Sequence, residues 1–349
     1  MPENTDNKFM KRCLDLAVRA EGMTYPNPLV GSVVVCEGAI IGEGYHLKAG
    51  EPHAEVNAIN SVSDKSMLNR STLYVSLEPC SHSGKTPPCA DFIVSNNIPR
   101  VVVGTLDTSS KVSGRGISCL KTAGCDVITG VLESECRKIN RRFFTFHEKK
   151  RPYITLKWAQ SADGYIDIKR NRNQKTEPNW ITGKSERILV HKWRASEQSI
   201  LVGAGTIRTD HPQLSVRYWK GQSPIRIILS RSGNLDNYFT ENETNGTVIS
   251  FTCNTKAYIE GAKRINLKAN IASSLQVTEY LYKTDIQSLF IEGGAEVLTH
   301  FIENGLWDEA RIFTGLTNFN DGVKAPLISG EITSHMSFEK SSLKVLVRE

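Results

Sequence analysis

Three side chains far apart in the chain limit its possible folds more than any other feature: His53, Cys80 and Cys89. An imidazole and two thiolates are the ligand set that Zn²⁺ takes when its fourth position stays open to water. To hold one ion, the segments around residues 53, 80 and 89 must end at one place. Pro52 is well placed just before a helix, predicted from His53 to about Ser61. Leu73–Leu77 is a continuous apolar run, the kind that a parallel sheet buries on both faces, and it delivers Glu78-Pro79-Cys80 at its carboxyl end. Cys89 opens a second helix, to about Asn96, whose N-terminal dipole favours a thiolate.

Glu55, two residues past the histidine, is not needed as a ligand. A carboxylate there can take a proton from a bound water and hand it to a leaving amine. His-x-Glu followed by Pro-Cys…Cys is the pattern of the zinc nucleobase deaminases. That pattern usually ends in Cys-x-x-Cys, whereas residues 81–88 separate the two cysteines here. Two other readings stay open on these residues alone: a surface histidine with ordinary buried cysteines, and a closed structural zinc site with His82 as fourth ligand. Glu55 favours the open, catalytic site.

Length and charge set the frame. A chain of 349 residues predicts two domains. The basic stretch Arg137–Arg151 marks the boundary, giving domains 1–148 and 149–349. Residues 1–150 carry 18 Lys+Arg against 16 Asp+Glu, and the rest 25 against 21, so neither half is a nucleic-acid-binding tail. The N-terminus lacks an apolar signal core and no run reaches transmembrane length, which predicts no membrane partner and a cytoplasmic protein. In that compartment Cys13, Cys36, Cys119, Cys125, Cys136 and Cys253 are read as structural.

Before the metal residues, Lys8–Arg19 reads as an amphipathic helix with Met10, Leu14, Ala17 and Val18 on one face. The turn Tyr25–Gly31 follows, with Asn27 placed to face a pocket, then a hairpin of strands Ser32–Cys36 and Ala39–Glu43 joined through Glu37-Gly38. Val101–Leu106 and Val127–Leu132 are further strands with a helix at Ser118–Ala123 between them. Alternating strands and helices make a three-layer α/β sandwich with the metal at the carboxyl ends of its strands. The second half repeats the alternation: strands at Pro152–Ala159, Ser199–Val202, Ile225–Leu229, Val248–Thr252 and Leu289–Ile291, a helix at Ser185–Ala195, and polar connections at Asp236–Gly246 and Lys268–Ser274. Glu292-Gly293-Gly294 ends a strand and opens a helix, Val297–Glu303, so a phosphate can approach its backbone N–H groups, although the Rossmann glycine spacing is absent.

Four stretches carry a family resemblance: Pro26-Asn27-Pro28-x-Val30-Gly31, Gly42-Glu43-Gly44-Tyr45-His46, Gly50-Glu51-Pro52-His53-Ala54-Glu55, and Leu77-Glu78-Pro79-Cys80-Ser81-His82-x-Gly84-Lys85-Thr86-Pro87-Pro88-Cys89. They closely resemble the deaminase half of the bifunctional riboflavin-biosynthesis deaminase–reductases, whose long Cys-to-Cys spacer is the most specific part. The second half resembles the reductase of the same family at Leu156-Lys157-x-Ala159-x-Ser161-x-Asp163-Gly164, Trp180-Ile181-Thr182, Arg194-Ala195, Thr206…Asp210-x-Pro212-x-Leu214-x-Val216-Arg217, Pro224-x-Arg226 and Glu292-x-Gly294.

The resemblance implies a cytidine-deaminase-like three-layer sandwich followed by a dihydrofolate-reductase-like α/β domain, with Zn²⁺ and NADPH as cofactors. It implies that His53, Cys80 and Cys89 hold Zn²⁺ and that Glu55 shuttles protons. The implied substrate is a phosphorylated pyrimidine, 2,5-diamino-6-ribosylamino-4(3H)-pyrimidinone 5′-phosphate, which loses its 2-amino group and is then reduced from ribosyl to ribityl. Asn27 and Lys85 are expected to contact it, Lys85 at the phosphate. In the reductase, Ala159, Trp180, Thr206, Asp210 and the segment Gly294, Ala295, Glu296, Val297, Leu298, Thr299 and His300 would contact NADPH. Lys157, Arg194, Leu214, Arg217 and Glu292 would contact substrate, the arginines as bidentate donors to phosphate. A homo-oligomer, dimer or tetramer, is expected. The chain departs from the family at His211, where Asp or Asn is common, and at Ser230-Arg231, where Asp-Ser is common; Arg231 is placed to meet a cofactor 2′-phosphate or to face solvent. A deaminase acting on tRNA or DNA would need a basic, aromatic-lined groove, which the charge balance disfavours. A structural zinc module joined to a nucleotide sensor is the non-enzymatic alternative.

Overall fold

The computed structural model describes residues 5–81, 87–108, 114–169, 179–230, 247–254 and 261–348. The chain divides into two compact units, Met1–Lys150 and Arg151–Glu349. The change-over comes two residues after the 148/149 boundary read from the charge pattern.

The first unit runs α1 (Thr5–Ala17), β1 (Gly31–Cys36), β2 (Ala39–Tyr45), α2 (Ala54–Ser61), β3 (Thr72–Leu77), α3 (Cys89–Ser95), β4 (Arg100–Thr105), α4 (Arg115–Thr122), β5 (Asp126–Thr129), α5 (Glu133–Ile139) and α6 (Arg141–Lys149). Its sheet has the order β2-β1-β3-β4-β5. β1 is antiparallel to both its neighbours, and β3, β4 and β5 are parallel. Alternate residues feed two separate cores. Val34, Leu73, Val75, Val101 and Val103 pack with Ala58 and Ile59 of α2, Ile93 of α3 and Leu120 of α4. Val33, Val35, Tyr74 and Val102 pack on the other face with Phe9, Met10 and Cys13 of α1 and Cys136 of α5. That is the three-layer sandwich, and it explains why the strands read as unbroken apolar runs.

One local reading is corrected. The buried stripe of α1 is Phe9, Met10, Cys13, Leu16 and Ala17, whereas Val18 is exposed and lies in a following 3₁₀ turn. The inward face takes in Phe9, Cys13 and Leu16, which the count over Met10, Leu14, Ala17 and Val18 left out. The basic stretch after Arg137 is helical and docks on its own unit: α6 buries Phe143, Phe144 and Phe146, and Asn140 grips both the N–H and the C=O of Leu29 at 2.8 Å.

The second unit runs β6 (Tyr153–Gln160), β7 (Tyr165–Ile168), α7 (Lys184–Ser196), β8 (Ser199–Gly203), α8 (Ala204–Asp210), β9 (Ile225–Leu229), β10 (Val248–Thr252), β11 (Ala262–Asn266), α9 (Ser273–Lys283), β12 (Ser288–Ile291), α10 (Ala295–Glu303), β13 (Glu309–Gly315), β14 (Gly322–Lys324), β15 (Glu331–Ser337) and β16 (Ser341–Val347). The large sheet has the order β11-β10-β9-β8-β12-β6-β13-β16-β15. It is parallel from β11 to β13 and antiparallel beyond. β12 lies between β8 and β6, so the chain leaves β8 in one direction and later returns to its other side. An open α/β sheet binds ligands at such a reversal, outside the carboxyl ends of its strands. Those ends carry Gly203 and Glu292.

Candidate active sites

In the first unit, three element ends meet. His53 caps α2 in an extended conformation, Cys80 follows β3, and Cys89 is the first residue of α3. His53 Nδ1 lies 3.2 Å from Cys89 Sγ and 3.6 Å from Cys80 Sγ, and the Cys89 N–H donates to Cys80 Sγ at 3.3 Å. All three ligand atoms lie within 4.8 Å of one another. A tetrahedral Zn²⁺ with ordinary Zn–N and Zn–S bonds spaces such atoms by roughly 3.5–3.8 Å, so the donor set and its spacing fit that ion. His82 and Lys85 lie outside the described residues.

Charge is arranged to suit a cation. The hydrogen bond from Cys89, then that with His53, brings the Cys80 thiol down to about 4. Its hydrogen bond with Cys80 and its burial push the Cys89 thiol up. Glu55, on the first turn of α2, is 3 % exposed. Burial raises its carboxyl to about 7 against the pull of His53, and a group titrating near neutrality both accepts and releases a proton.

The glycines of Gly42-Glu43-Gly44 explain how α2 comes so close to the sheet. A Cβ at Gly44 would lie 2.4 Å from Ala58 N, and one at Gly42 would lie 2.5 Å from Ala58 O. Next comes a residue without an assigned role in the sequence reading, His46, which is buried. Its Nδ1 lies 3.2 Å from the Pro52 carbonyl, an acceptor only, so Nδ1 carries the hydrogen and Nε2 accepts from Asn27 Nδ2 at 3.0 Å. Burial lowers its pKa and keeps the ring neutral. Its centroid is 5.3 Å from that of His53. Asn27 is thereby oriented beside the metal ligands.

Glu78 is the second residue that sequence reasoning missed. Buried before Pro79, it accepts backbone N–H bonds from Asp107, Gly114, Gly116 and Ile117 at 2.9–3.3 Å. It holds the N-terminus of α4 against the turn that presents Cys80. Gly116 permits the approach, since a Cβ there would lie 2.0 Å from the Pro79 carbonyl.

In the second unit, Glu292 is the hub. Arg194 Nε and Nη2 donate to its two oxygens at 2.6 and 3.0 Å, and Lys157 Nζ lies 3.4 Å from Oε2. Burial alone would raise this carboxyl, but Arg194 and Lys157 outweigh it and hold the pKa at about 2. Arg194 also reaches the Ser215 carbonyl, at 3.1 Å. Three of the expected substrate residues thus form one cluster, at the carboxyl end of β12 and beside it within β6. Arg217 is exposed, its Nη1 on Gln213 Oε1 and Ser215 Oγ.

Thr206 and Gly294 are also brought together: a Cβ at Gly294 would be 3.4 Å from Thr206 Oγ1. Ala159 is half-buried near the end of β6, and Asp210 is the last residue of α8. His211 is a left-handed cap with φ 43°. Trp180 is 64 % exposed, under the Arg187 guanidinium. Arg231 lies outside the described residues.

Leu214 buries its side chain in the core with Val190, Ile200 and Phe290, so the part of it that faces a ligand is its backbone. Of the segment 294–300, Val297 and Leu298 turn into the hydrophobic core, and His300 Nε2 accepts the Ser274 N–H. A helix offers its unbonded N–H groups in its first turn, which Gly294, Ala295 and Glu296 open here.

Residues 3–105 match the model of the cytidine and deoxycytidylate deaminase zinc-binding region, and residues 152–344 match the RibD C-terminal domain. The riboflavin biosynthesis protein RibD of Aquifex aeolicus is 40% identical over 338 residues, covering 95% of this chain and 90% of that one. Its counterpart in Escherichia coli is 33% identical, covering 88% and 87%. The crystal structure of a diaminohydroxyphosphoribosylaminopyrimidine deaminase/5-amino-6-(5-phosphoribosylamino)uracil reductase from Thermotoga maritima superposes with a TM-score of 0.89 at 36% identity, covering 99% of both chains.

Proposed function

The chain belongs to the RibD family, and from that premise we propose which of its residues perform the two reactions of riboflavin biosynthesis. It is a bifunctional enzyme: a zinc-dependent deaminase in the first half and an NADPH-dependent reductase in the second. The first reaction replaces the 2-amino group of 2,5-diamino-6-ribosylamino-4(3H)-pyrimidinone 5′-phosphate by oxygen from water and releases ammonia. The second adds a hydride and a proton to the ribosyl group of 5-amino-6-(5-phosphoribosylamino)uracil and leaves a ribityl chain.

Domains 1–148 and 149–349 carry these activities in turn. His53, Cys80 and Cys89 hold the Zn²⁺, which when bound makes water a nucleophile at neutral pH. Glu55 takes the proton from the attacking water and gives it to the departing amine, from its buried place on the first turn of α2 beside the ligand His53. Asn27 donates to the pyrimidine edge from the position that His46 fixes. Lys85 neutralises the 5′-phosphate.

In the reductase, Lys157, Arg194, Arg217 and Glu292 bind and orient the substrate, with the arginine guanidinium groups toward its phosphate. Thr206, Asp210, Ala159, Trp180 and the first turn of α10 from Gly294 receive NADPH, which supplies the hydride. Arg231 and His211 take no assigned part. A cytoplasmic setting is supported by the absence of any disulfide among the described cysteines. Among the described residues, no helix is long and apolar enough to cross a membrane. Assembly with like chains is supported by Ile332 and Met336, exposed on the edge strand β15.

The convergence of His53 Nδ1 and two sulfurs beside a buried carboxyl carries this reading. Its test is Glu55→Gln, followed through ammonia release and NADPH absorbance together. Ammonia release falls roughly 10²–10⁴-fold, zinc content is retained, and oxidation of NADPH on deaminated substrate is unaltered. A variant that deaminates at the parent rate overturns the role of Glu55.

A further inference from the structure

His191 lies on α7, one helical turn before Arg194, and is 5 % exposed. A lone buried histidine on a helix is ordinarily a packing residue, but this one makes a specific polar contact. The backbone N–H of Arg217 donates to its Nδ1 at 2.9 Å, and that of Tyr218 approaches at 3.5 Å. A backbone N–H only donates, so Nδ1 is the acceptor and any ring hydrogen sits on Nε2.

The same helix turn holds the segment a second time, where Arg194 Nη1 donates to the Ser215 carbonyl. A C=O at one residue and an N–H two residues later are the pair that a neighbouring strand addresses in a parallel ladder. Here two side chains three residues apart on one helix address them instead. Leu214 buries its side chain at φ 55° just before this stretch, and Val216 N–H is held by Ser223 Oγ at 3.0 Å. The Tyr218 ring closes over the imidazole at a centroid distance of 4.7 Å.

We propose that His191 is a positioning residue of the reductase site, fixing the Ser215–Arg217 backbone so that the Arg217 guanidinium meets the phosphorylated substrate. This rests on the assignment of Arg217 to substrate binding made above. The imidazole must stay neutral to accept. Its charged surroundings enforce that: Arg194 on its own helix, Arg217 on the held segment and Lys157 on β6 disfavour a proton, and Glu292 just after β12 favours one. Burial, then Arg194 and Arg217, lowers its pKa to about 4. The hold persists at neutral pH and is released as pH falls through about 4, where the proton occupies the acceptor.

Asparagine places its side-chain oxygen near the position of Nδ1, whereas leucine fills the space without an acceptor. In the full-length enzyme with deaminated substrate, His191→Leu raises KM about tenfold and leaves kcat within about twofold, the signature of lost ground-state binding. His191→Asn restores KM to near the parent value, and its KM no longer rises in acid. Arg217→Ala raises KM at least as much as His191→Leu. Equal KM values for the Leu and Asn variants overturn the proposal, because a merely structural histidine would not distinguish them by acceptor. An Arg217→Ala enzyme with unchanged KM overturns the underlying assignment, and the proposal with it. If Arg217→Ala raises KM while His191→Leu does not, the assignment stands and the proposal alone falls.

Discussion

The two sites of this chain are built by opposite methods. The metal centre uses side chains that sit at the ends of regular elements: His53 before α2, Cys80 after β3, Cys89 opening α3. Its precision comes from helix and strand termini brought together by a tightly packed sheet. The reductase cluster is a charge network strung between elements, with Glu292 after β12, Lys157 within β6 and Arg194 near the end of α7. Its geometry depends on mutual ion pairing and on loops held by hydrogen bonds. Fixed termini suit an ion with a preferred coordination geometry. A network of long side chains suits an extended, charged substrate that needs several simultaneous contacts.

Removing the metal tests this contrast with the largest effect. Chelation lowers ammonia release to background while NADPH oxidation persists, and circular dichroism of the first unit stays folded, because three protein ligands with an open position do not carry its core. Unfolding on chelation would instead mark a closed structural site. Glu292→Gln strikes the other method. It leaves Arg194 and Lys157 facing each other without a counter-charge, at a cost of about 3–5 kcal/mol in the second unit, read as a lowered thermal midpoint with reductase lost and deaminase kept.

The same residue fixes a pH window. The Glu292 carboxyl is depressed in the folded chain from 4.5 to about 2. Its stabilisation, about 3 kcal/mol, is therefore complete above pH 4.5 and lost as pH falls toward 2. Thermal melts across that window show the slope in the parent and its flattening in Glu292→Gln. Gly44→Ala has the smallest effect, about 1–3 kcal/mol. The added methyl pushes α2 off β2 at Ala58, so kcat of deamination drops with the shift of His53 and Glu55 while the reductase is unaffected.

The contrast also governs what the sequence disclosed. Metal ligands at element ends leave a readable trace, because a Pro before a helix and an apolar run ending in Pro-Cys are local signals. The two layers of the first sheet were equally plain in Val33–Val35 and Leu73–Leu77. The stripe of α1 was misplaced because its inward face includes Phe9 and Cys13, residues outside the simple count from Lys8. In the second unit α9 went unread, since Ser273-Ser274 looks like a loop although both side chains are buried at its start. β15 has no apolar alternation and is exposed at nearly every position. Leu214 and Leu298 show the limit of motif matching: their motifs flank a site, but their side chains point into the core. His191 carried no signal beyond a single letter, and His46 stood in a quoted motif without a role. Their roles arise from backbone groups that only folding brings within reach.

Glu78 has a mechanical consequence. One carboxylate gathers four amides from α4 and the stretch leading into it, on the face of the sheet that also carries α2 and α3, and the next turn of chain presents Cys80. A side chain that binds no ion thus sets the place of one that does: the turn carrying Cys80 is anchored by a carboxylate whose partners all lie in α4 and the stretch leading into it.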